Sequence, residues 1–343
     1  MVEPSAFIRH MPKAELHMHL EGSIEPESMI EMARRNGVSL PYASADELRA
    51  AYDFTDLQSF LDVLYIGNSV LQTRLDFFEM TLRYLERAHA DTVLRAEVFL
   101  SPQAHLSRGV AFDTMMGGVL DGLEQARSTL GISADVILGF QRQKSEAEAF
   151  EVLELALPYR THVLGIGLGS AEAGNPPRKF ERVFAKGRAA GWRCVAHAGE
   201  EGPAEYIEEA IDLLKVERID HGVRCDEKPS LVERLAAMQM PLTVCPLSNV
   251  KLRVFDTMQD HNLKVLLDQG LMVTVNSDDP TQFGGYVNDN FELCRTHLGL
   301  GSADLVRLAR NSFQSAFVSD ADKLGYCDAL AAYCEAQPAV ASA

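Results

Sequence analysis

The chain has 343 residues, and 47% of them are hydrophobic, which is enough for one large α/β domain or two ordinary ones. Lys and Arg number 32 against 49 Asp and Glu, and the net charge of −17 opposes binding to nucleic acids and to anionic membrane surfaces. Because the sequence has no membrane-length apolar run, no signal-peptide pattern and no CxxC among its six cysteines, we expect a cytoplasmic protein with reduced thiols.

Eight short segments rich in Val, Ile and Leu recur along the chain, and most are followed by a helical pattern. This alternation predicts a single (β/α)8 TIM barrel that occupies the whole chain, 1–343. A doubly wound parallel sheet is the alternative, but its Gly-rich phosphate fingerprint is missing. The predicted strands are 14–20, 93–100, 135–140, 162–169, 193–199, 218–223, 241–247 and 271–279.

A helical insertion of about residues 25–75 separates the first two predicted strands. "EPESMIEMARRNG" places Pro26 in the first turn of a helix and Gly37 just past its end. "TDLQSFLDVL" offers Thr55 as an N-cap, with Gln58 three residues further on. We expect this insertion to form a lid over the functional site.

Polar and ionisable residues are concentrated where the predicted strands end, and that end of a barrel carries the chemistry. His17 and His19 stand two positions apart on the first strand, so both side chains face the same way. Such a pair alone is weak evidence, since a strand histidine is often a satisfied core residue. The other residues of this kind are His197 and Glu200 after the fifth strand, His221 on the sixth, and Asp278 and Asp279 after the eighth.

Three imidazoles and a carboxylate that converge with one position left open are typical of catalytic zinc. We therefore predict that His17, His19, His197 and Asp278 bind one zinc ion, which would also offset the cost of burying these polar groups. "NSDDP" could instead be a solvated turn or a helix cap. If it continues the strand, its two aspartates point to opposite sides, which leaves Asp279 for the substrate.

Glu200 and His221 complete a hydrolytic arrangement. Zinc lowers the pKa of a water molecule to about 7, so hydroxide becomes available at neutral pH. His221 could deprotonate or orient that water, while Glu200, three residues after a proposed ligand, could donate a proton to the opposite atom. These residues alone predict a zinc hydrolase or a deaminase.

The segments "PKAELHMHLEGS", "HAGE", "RIDHGV" and "NSDDP", in this order, resemble the adenosine/adenine deaminase family of the amidohydrolase superfamily over about residues 10–335. The resemblance implies a (β/α)8 barrel with one zinc ion on the four residues named above. It also implies that Glu200 is the proton donor to a purine ring, His221 the base and Asp279 a hydrogen-bond partner of the ring. Hydroxide would attack C6, and ammonia would leave.

The absence of two sequence features narrows the choice among classes of metal-dependent hydrolase and deaminase. Many relatives outside the family hold two metals with a modified lysine on the fourth strand, and "HVLGIGLG" contains no lysine. The other large class of zinc deaminases requires H-x-E followed by P-C-x-x-C. "HLE" at 19–21 matches the first half, but P-C-x-x-C does not occur, so we reject that fold.

Three segments resemble the adenine deaminase branch of the family: "HLEGS", "CPLSNVKLRV" and "SDDPTQFGGY". The resemblance implies conversion of adenine to hypoxanthine, with Glu21 hydrogen-bonding the free base near N9 where an aspartate would meet a ribose. We expect Ser248 and Asn249 near Glu21 in the pocket, although they could instead only cap their loop. Gly169 stands where this branch often has an aspartate, so we expect a backbone N–H, that of Ser170, to contact the ring.

The alternatives are deamination of adenosine, of an N6-substituted adenine or of aminodeoxyfutalosine, and Glu21 with 247–249 argues against a ribosyl group. A zinc-binding module that has lost catalysis is a more remote alternative, opposed by the intact Glu200 and His221. We expect a small-molecule purine as partner. The sequence leaves the oligomeric state open, with a homo-oligomer as one option.

Overall fold

Eight parallel strands form the centre of the fold in a computed structural model that describes residues 5–337. Each strand pairs with its neighbours in the sequence, in the order β1 to β8. Apolar side chains of three strands, Phe99, Ile137 and Val195, pack together in a small buried cluster. The strands are β1 Lys13–His19, β2 Val93–Leu100, β3 Ser133–Gln141, β4 Val163–Gly169, β5 Arg193–Ala198, β6 Arg218–His221, β7 Pro241–Val244 and β8 Met272–Val275.

The segment after β8 closes the barrel against β1. The backbone N–H of His19 donates to the carbonyl of Asp278 at 2.8 Å, and that of Asp278 donates to the carbonyl of His17 at 3.1 Å. Met18 and Asp278 thereby form a parallel bridge. The predicted (β/α)8 barrel is confirmed, and its closing contact joins two segments predicted to carry metal ligands.

Helices connect the strands and cover the outside of the barrel, where large buried apolar side chains fill the layer between helices and strands. No helix within residues 5–337 is long and apolar enough to cross a membrane. The helices are α1 Ala6–His10, α2 Pro26–Asn36, α3 Ala45–Ala50, α4 Leu57–Asn68, α5 Arg74–Ala90, α6 Pro102–Leu106, α7 Phe112–Leu130, α8 Glu146–Ala156, α9 Glu181–Ala189, α10 Ala204–Glu209, α11 Pro229–Met238, α12 Pro246–Lys251, α13 Leu263–Asp268, α14 Pro280–Phe283, α15 Val287–Leu298, α16 Ser302–Ser315 and α17 Asp320–Glu335.

The segment between β1 and β2 is helical, as predicted. Pro26 begins α2, and Gly37 ends it with a φ of 66°, a left-handed conformation that glycine adopts without strain. The expected cap of α4 was wrong by one residue, because Asp56 and not Thr55 is the N-cap. The Asp56 carboxylate accepts the N–H of Ser59 at 2.8 Å, and the Ser59 hydroxyl oxygen accepts the N–H of Asp56 at 3.2 Å. This reciprocal pair satisfies two backbone donors at the start of the helix.

Candidate active site

A cavity, partly open to solvent, lies at the carboxyl ends of the strands. Strand ends and following loops supply its polar wall, and α4 covers it with mainly apolar side chains. The polar group comprises His19, Glu21, Ser101, Ser170, His197, Glu200, His221, Asp278 and Asp279, and the α4 group comprises Leu57, Phe60, Leu61, Leu64, Tyr65 and Asn68.

The structure brings the four predicted metal ligands together. Nε2 of His197 lies 3.1 Å from Nε2 of His17 and 3.1 Å from Nε2 of His19. Oδ1 of Asp278 lies 3.2 Å from Nε2 of His17 and 3.3 Å from Nε2 of His19. As predicted, His17 and His19 face the same side of β1.

The other ring nitrogens show why this cluster fits a cation. Nδ1 of His17 lies 3.2 Å from the carbonyl oxygen of Thr243, which can only accept, so the ring donates from Nδ1 and keeps a lone pair on Nε2. Nδ1 of His197 faces Oδ2 of Asp220 at 3.3 Å, which favours the same tautomer. Two lone pairs therefore face each other across 3.1 Å, with the Asp278 carboxylate beside them. A cation between them removes that repulsion, and the His/His/His/Asp donor set suits zinc.

Asp278 and Asp279 both line the cavity, so the expectation that they point to opposite sides was wrong. Side chains alternate only within a strand, and β8 ends at Val275. Asp278 has a φ of 64°, a left-handed conformation that turns its carboxylate back toward β1. Gly22 gives Asp279 its space, because a Cβ at Gly22 would stand 2.0 Å from the carboxylate of Asp279.

Glu200 is held by the loop that follows β5. A buried carboxylate, that of Glu172, accepts backbone N–H groups from Gly199, Glu200, Glu201 and Gly202 at 2.8–3.0 Å. Burial, reinforced by the negative charge of Asp278, raises the pKa of Glu200 well above its ordinary value. Burial persists when a cation is bound, so it favours a protonated Glu200 that can act as an acid.

His221 ends β6 with a φ of 65°, and its ring enters the cavity beside Glu200. Nε2 of His221 lies 3.5 Å from Oε2 of Glu200 and 3.8 Å from Oδ2 of Asp278. Burial lowers the pKa of His221 well below its ordinary value, which favours a neutral ring. Distance alone would also admit His221 as a metal ligand together with His17, His197 and Asp278.

Glu21 occupies the cavity wall with one carboxylate oxygen bonded and the other free. Oε1 accepts the N–H of Ser101 at 2.8 Å and lies 3.1 Å from Nε2 of His105. Arg108 donates to Nδ1 of His105 at 2.7 Å, so the proton of that ring is on Nε2 and is donated to Glu21. Burial alone would raise the pKa of Glu21, but the hydrogen bonds from His105 and Ser101 lower it. Glu21 is therefore an anionic acceptor whose buried Oε2 has no partner among the described residues.

Ser170, Ser248 and Asn249 differ in their positions. Ser170 lines the cavity, where its hydroxyl lies 2.7 Å from that of Tyr65 on α4. Ser248 and Asn249, expected beside Glu21, are fully buried on α12 and are not among the residues that line the cavity. Because α12 begins at Pro246, directly after β7, Asn249 is carried one turn into the helix and contacts the far side of His221.

The sequence argument missed the residues that hold the site in place. Asp220 and Thr243 contact two of the three predicted metal-site histidines, and Glu172 holds the Glu200 loop. Glu15 accepts the N–H of Ser277 at 3.0 Å and so fixes the loop that carries Asp278. A signal was present, since Glu15, Asp220 and Thr243 are charged or polar residues inside apolar strands. Such residues need a buried partner.

A barrel whose strand ends hold a histidine and aspartate cluster defines a hydrolase of the amidohydrolase type. A family model described as Adenosine deaminase matches residues 12–333, and the chain belongs to this family. A curated relative, "Adenine deaminase" from Sphingopyxis alaskensis, is 56% identical over 331 residues, which are 96% of this chain and 97% of that protein.

Two solved structures extend the comparison. The crystal structure of an adenine deaminase from Arthrobacter aurescens has a TM-score of 0.94 and 52% identity, covering 95% of this chain and 100% of that one. The structure of an amidohydrolase from Burkholderia ambifaria with bound Zn has a TM-score of 0.89 and 30% identity, covering 96% of this chain and 93% of that one. The predicted family is confirmed.

Proposed function

We propose that this protein hydrolyses adenine to hypoxanthine and ammonia with one zinc ion. The observation that carries the proposal is that one cavity is lined both by His19, His197 and Asp278 of the cluster and by Glu21, whose Oε2 has no partner among the described residues. Two relatives more than half identical to this chain, over almost its whole length, are described as adenine deaminases, which supports the same reaction here.

His17, His19, His197 and Asp278 would hold the zinc ion, because their ligand atoms already face one another. A bound zinc ion acts as a Lewis acid and lowers the pKa of a water molecule to about 7, which supplies hydroxide at neutral pH. A relative that is 30% identical is described with bound Zn, which supports the choice of metal.

The remaining steps belong to the side chains around the cluster. Glu200 would hold a proton and deliver it to a nitrogen of the purine ring, so that negative charge does not build up on the ring as C6 is attacked. Asp279 would form a hydrogen bond with the ring from the same wall of the cavity. His221 has two roles open to it: to remove a proton from the attacking water, or to orient that water by donating a hydrogen bond.

Glu21 would select the free base. Its unpaired Oε2 is an acceptor for a ring N–H, and adenine has such a group at the nitrogen where a nucleoside carries its sugar. Helix α4 would act as the predicted lid, because its apolar side chains cover the cavity. We expect a ribosyl group to be excluded by this cover together with Glu21. Ser170 would contact the ring from the end of β4.

A side-by-side assay tests this proposal. Zinc-loaded protein is mixed with adenine, adenosine or N6-methyladenine. Ultraviolet absorbance is followed together with release of the amine, which is ammonia from adenine and adenosine and methylamine from N6-methyladenine, with Glu200→Gln as the inactive control. Adenine is expected to turn over fastest. Faster turnover of adenosine or N6-methyladenine would overturn the substrate assignment. Absence of any released amine from all three would instead indicate a binding module. We also propose that the protein acts in the cytoplasm, and a homo-oligomer stays a prediction.

A further inference from the structure

On the side of His221 that faces away from the cavity, the side chains of Asn249 and His261 form a buried chain of hydrogen bonds that starts at His221. Nδ2 of Asn249, on α12, lies 3.3 Å from Nδ1 of His221. Oδ1 of Asn249 lies 3.2 Å from Nε2 of His261, which stands just before α13. All three residues are at least nine-tenths buried. We call His221, Asn249 and His261 the histidine relay.

The direction of every hydrogen bond in the histidine relay follows from one backbone group. The N–H of Leu263 donates to Nδ1 of His261 at 3.0 Å, and a backbone N–H can only donate. Nδ1 of His261 is therefore unprotonated, and the proton of this ring is on Nε2. Nε2 then donates to Asn249, so the atom of the amide that it meets must be Oδ1.

This polarity continues to the active site. With Oδ1 of Asn249 occupied as an acceptor, its NH2 group faces His221 and donates to Nδ1. The opposite orientation of the amide would set its NH2 group against the N–H of His261, two donors in contact. Nδ1 of His221 therefore carries a lone pair and no proton. A neutral His221 then has its proton on Nε2, the nitrogen that faces the cavity.

The surroundings of the histidine relay keep this arrangement in place. The ring of Phe255 packs against that of His261 with centroids 4.4 Å apart. The N–H groups of Val254 and Phe255 donate to the main-chain carbonyl of Asn249 at 2.9 and 3.3 Å. These two hydrogen bonds fix the backbone that carries the Asn249 side chain. Burial lowers the pKa of His261 to about 3, which agrees with a neutral ring accepting at Nδ1.

We propose that Asn249 and His261 are positioning residues that hold a proton on Nε2 of His221. His221 then orients the attacking water by donating a hydrogen bond, does not remove its proton, and has no lone pair for the metal. This inference rests on the proposed function and chooses between the two roles left open for His221. It also separates His221 from His17, His19 and His197 as ligands.

Nitrogen NMR tests the tautomer directly and needs no turnover. The zinc-loaded full chain is labelled with ¹⁵N-histidine, and the His221 and His261 signals are assigned by their loss in His221→Asn and His261→Gln. Both rings are expected to show protonated Nε2 and unprotonated Nδ1. A His221 ring protonated at Nδ1, or coordinated to zinc, overturns the proposal, whatever the substrate of the enzyme proves to be.

Substitutions test the consequence. Asn249→Asp keeps the size of the side chain but replaces the donor with an acceptor, so His221 should move its proton to Nδ1. We expect kcat for adenine to fall about 100-fold or more, with zinc content unchanged and KM altered less than about threefold, since a misplaced histidine tautomer costs about that much or more in other enzymes. His261→Gln keeps a donor toward Asn249 and should retain kcat within about tenfold, whereas His261→Leu should lose activity like Asn249→Asp.

Asn311→Asp is the matched control, because Asn311 is also buried and its Nδ2 donates to a backbone carbonyl, that of Val273, at 2.9 Å. It should lower the melting temperature but leave kcat and the His221 signals unchanged. A wild-type kcat in Asn249→Asp, or an equal loss of kcat in Asn311→Asp, would refute the role of the histidine relay. If adenine is not the substrate, the NMR result still decides the tautomer.

Discussion

Oε2 of Glu172 accepts the backbone N–H of Glu200 at 3.0 Å, so one carboxylate holds the segment that presents another. Arg142 connects this pair to the histidine and aspartate cluster, because its guanidinium lies 3.7 Å from Glu172 and donates to the carbonyl of His197 at 2.6 Å. A Cβ on Gly202 would stand 2.6 Å from the Glu172 carboxyl carbon, so the loop has room only for glycine there. The position of Glu200 thus depends on a residue outside the cavity wall.

We expect Glu172→Gln to lower kcat at least about tenfold, because an amide NH2 group would face backbone donors and leave buried N–H groups unpaired at about 1–3 kcal/mol. Zinc content should stay the same, since no ligand changes. The assay is adenine turnover with metal analysis, and the control is Glu217→Gln on the exposed surface. Wild-type kcat in Glu172→Gln would contradict the positioning role.

Glu200→Gln should keep zinc and lose turnover by about 10²- to 10⁴-fold, because a glutamine cannot transfer a proton to the ring. Metal analysis and adenine turnover measure the two effects on the same preparation. Glu201→Gln, the same exchange one residue further on, should stay active. Equal activity of Glu200→Gln and the parent protein would refute the proton-donor role.

Asp278→Asn should lose the metal while keeping the backbone, because asparagine tolerates the left-handed conformation that Asp278 adopts. The expected zinc content is well below one per chain. In the parent protein, a chelator should remove a stabilisation of about 4 kcal/mol if zinc is present at 1,000 times its Kd. Thermal unfolding with and without chelator measures this, and the variant should respond little. A chelator effect of the same size in both would argue against Asp278 as a ligand.

Glu21→Gln should raise KM for adenine about 10- to 100-fold, since its NH2 group would face the ring N–H and leave both donors unpaired, at a cost of about 1–3 kcal/mol. Metal content should not change, because Glu21 contacts Ser101 and His105 and not the cluster. Initial-rate kinetics measure the effect. Glu27→Gln, on the exposed face of α2, is the control. An unchanged KM would remove Glu21 from the base-binding role.

Lys13 predicts a pH dependence of stability that is independent of the active site. Its ammonium is buried and donates to the carbonyls of Ile8 and Asp91 at 3.2 and 2.7 Å, and burial lowers its pKa to about 7 although Asp91 and Glu15 oppose the shift. Below pH 7 both folded and unfolded states are protonated, so the cost of the buried charge is fully present. Between about 7 and 10.5 only the unfolded state keeps the proton, so stability rises with pH.

We expect Lys13→Met, which cannot titrate, to lack this rise. The difference in unfolding free energy between variant and parent should change by up to about 1.4 kcal/mol per pH unit between pH 7.5 and 9.5, in favour of the parent. Urea unfolding at three pH values measures it. The exposed Lys186→Met is the control. Parallel pH profiles for Lys13→Met and the parent would contradict the prediction.

The barrel could be predicted from the sequence because its strands are short apolar runs at regular intervals. β2 was predicted with its observed bounds, and β1 within one residue, since their apolar stretches end at polar residues. The eighth segment was predicted too long, because the polar residues from Asn276 to Asp279 still followed an apolar run. Asn276 in fact bonds across to the N–H of Leu16 at 2.8 Å, which sequence periodicity does not encode.

The candidate site was predictable where residues reach the cavity directly from a strand end, as His19 and His197 do. It was not predictable where a side chain acts through another residue far away in the sequence. Asn249 was expected beside Glu21 because both lie in polar segments after strands, but a helix that starts at once turns it behind His221. Pairs such as Glu172 with Glu200 depend on loop geometry that has no periodic signal.

The bridge between Met18 and Asp278 has a consequence for how the protein would acquire the proposed zinc ion. The proposed ligands range from His17 to Asp278, so a bound ion would draw together segments from opposite ends of the barrel strand order. During synthesis the coordination set is complete only after the eighth strand has emerged and docked beside the first. Metal uptake would therefore report that the barrel has closed, and a chain truncated before β8 should be unable to retain it.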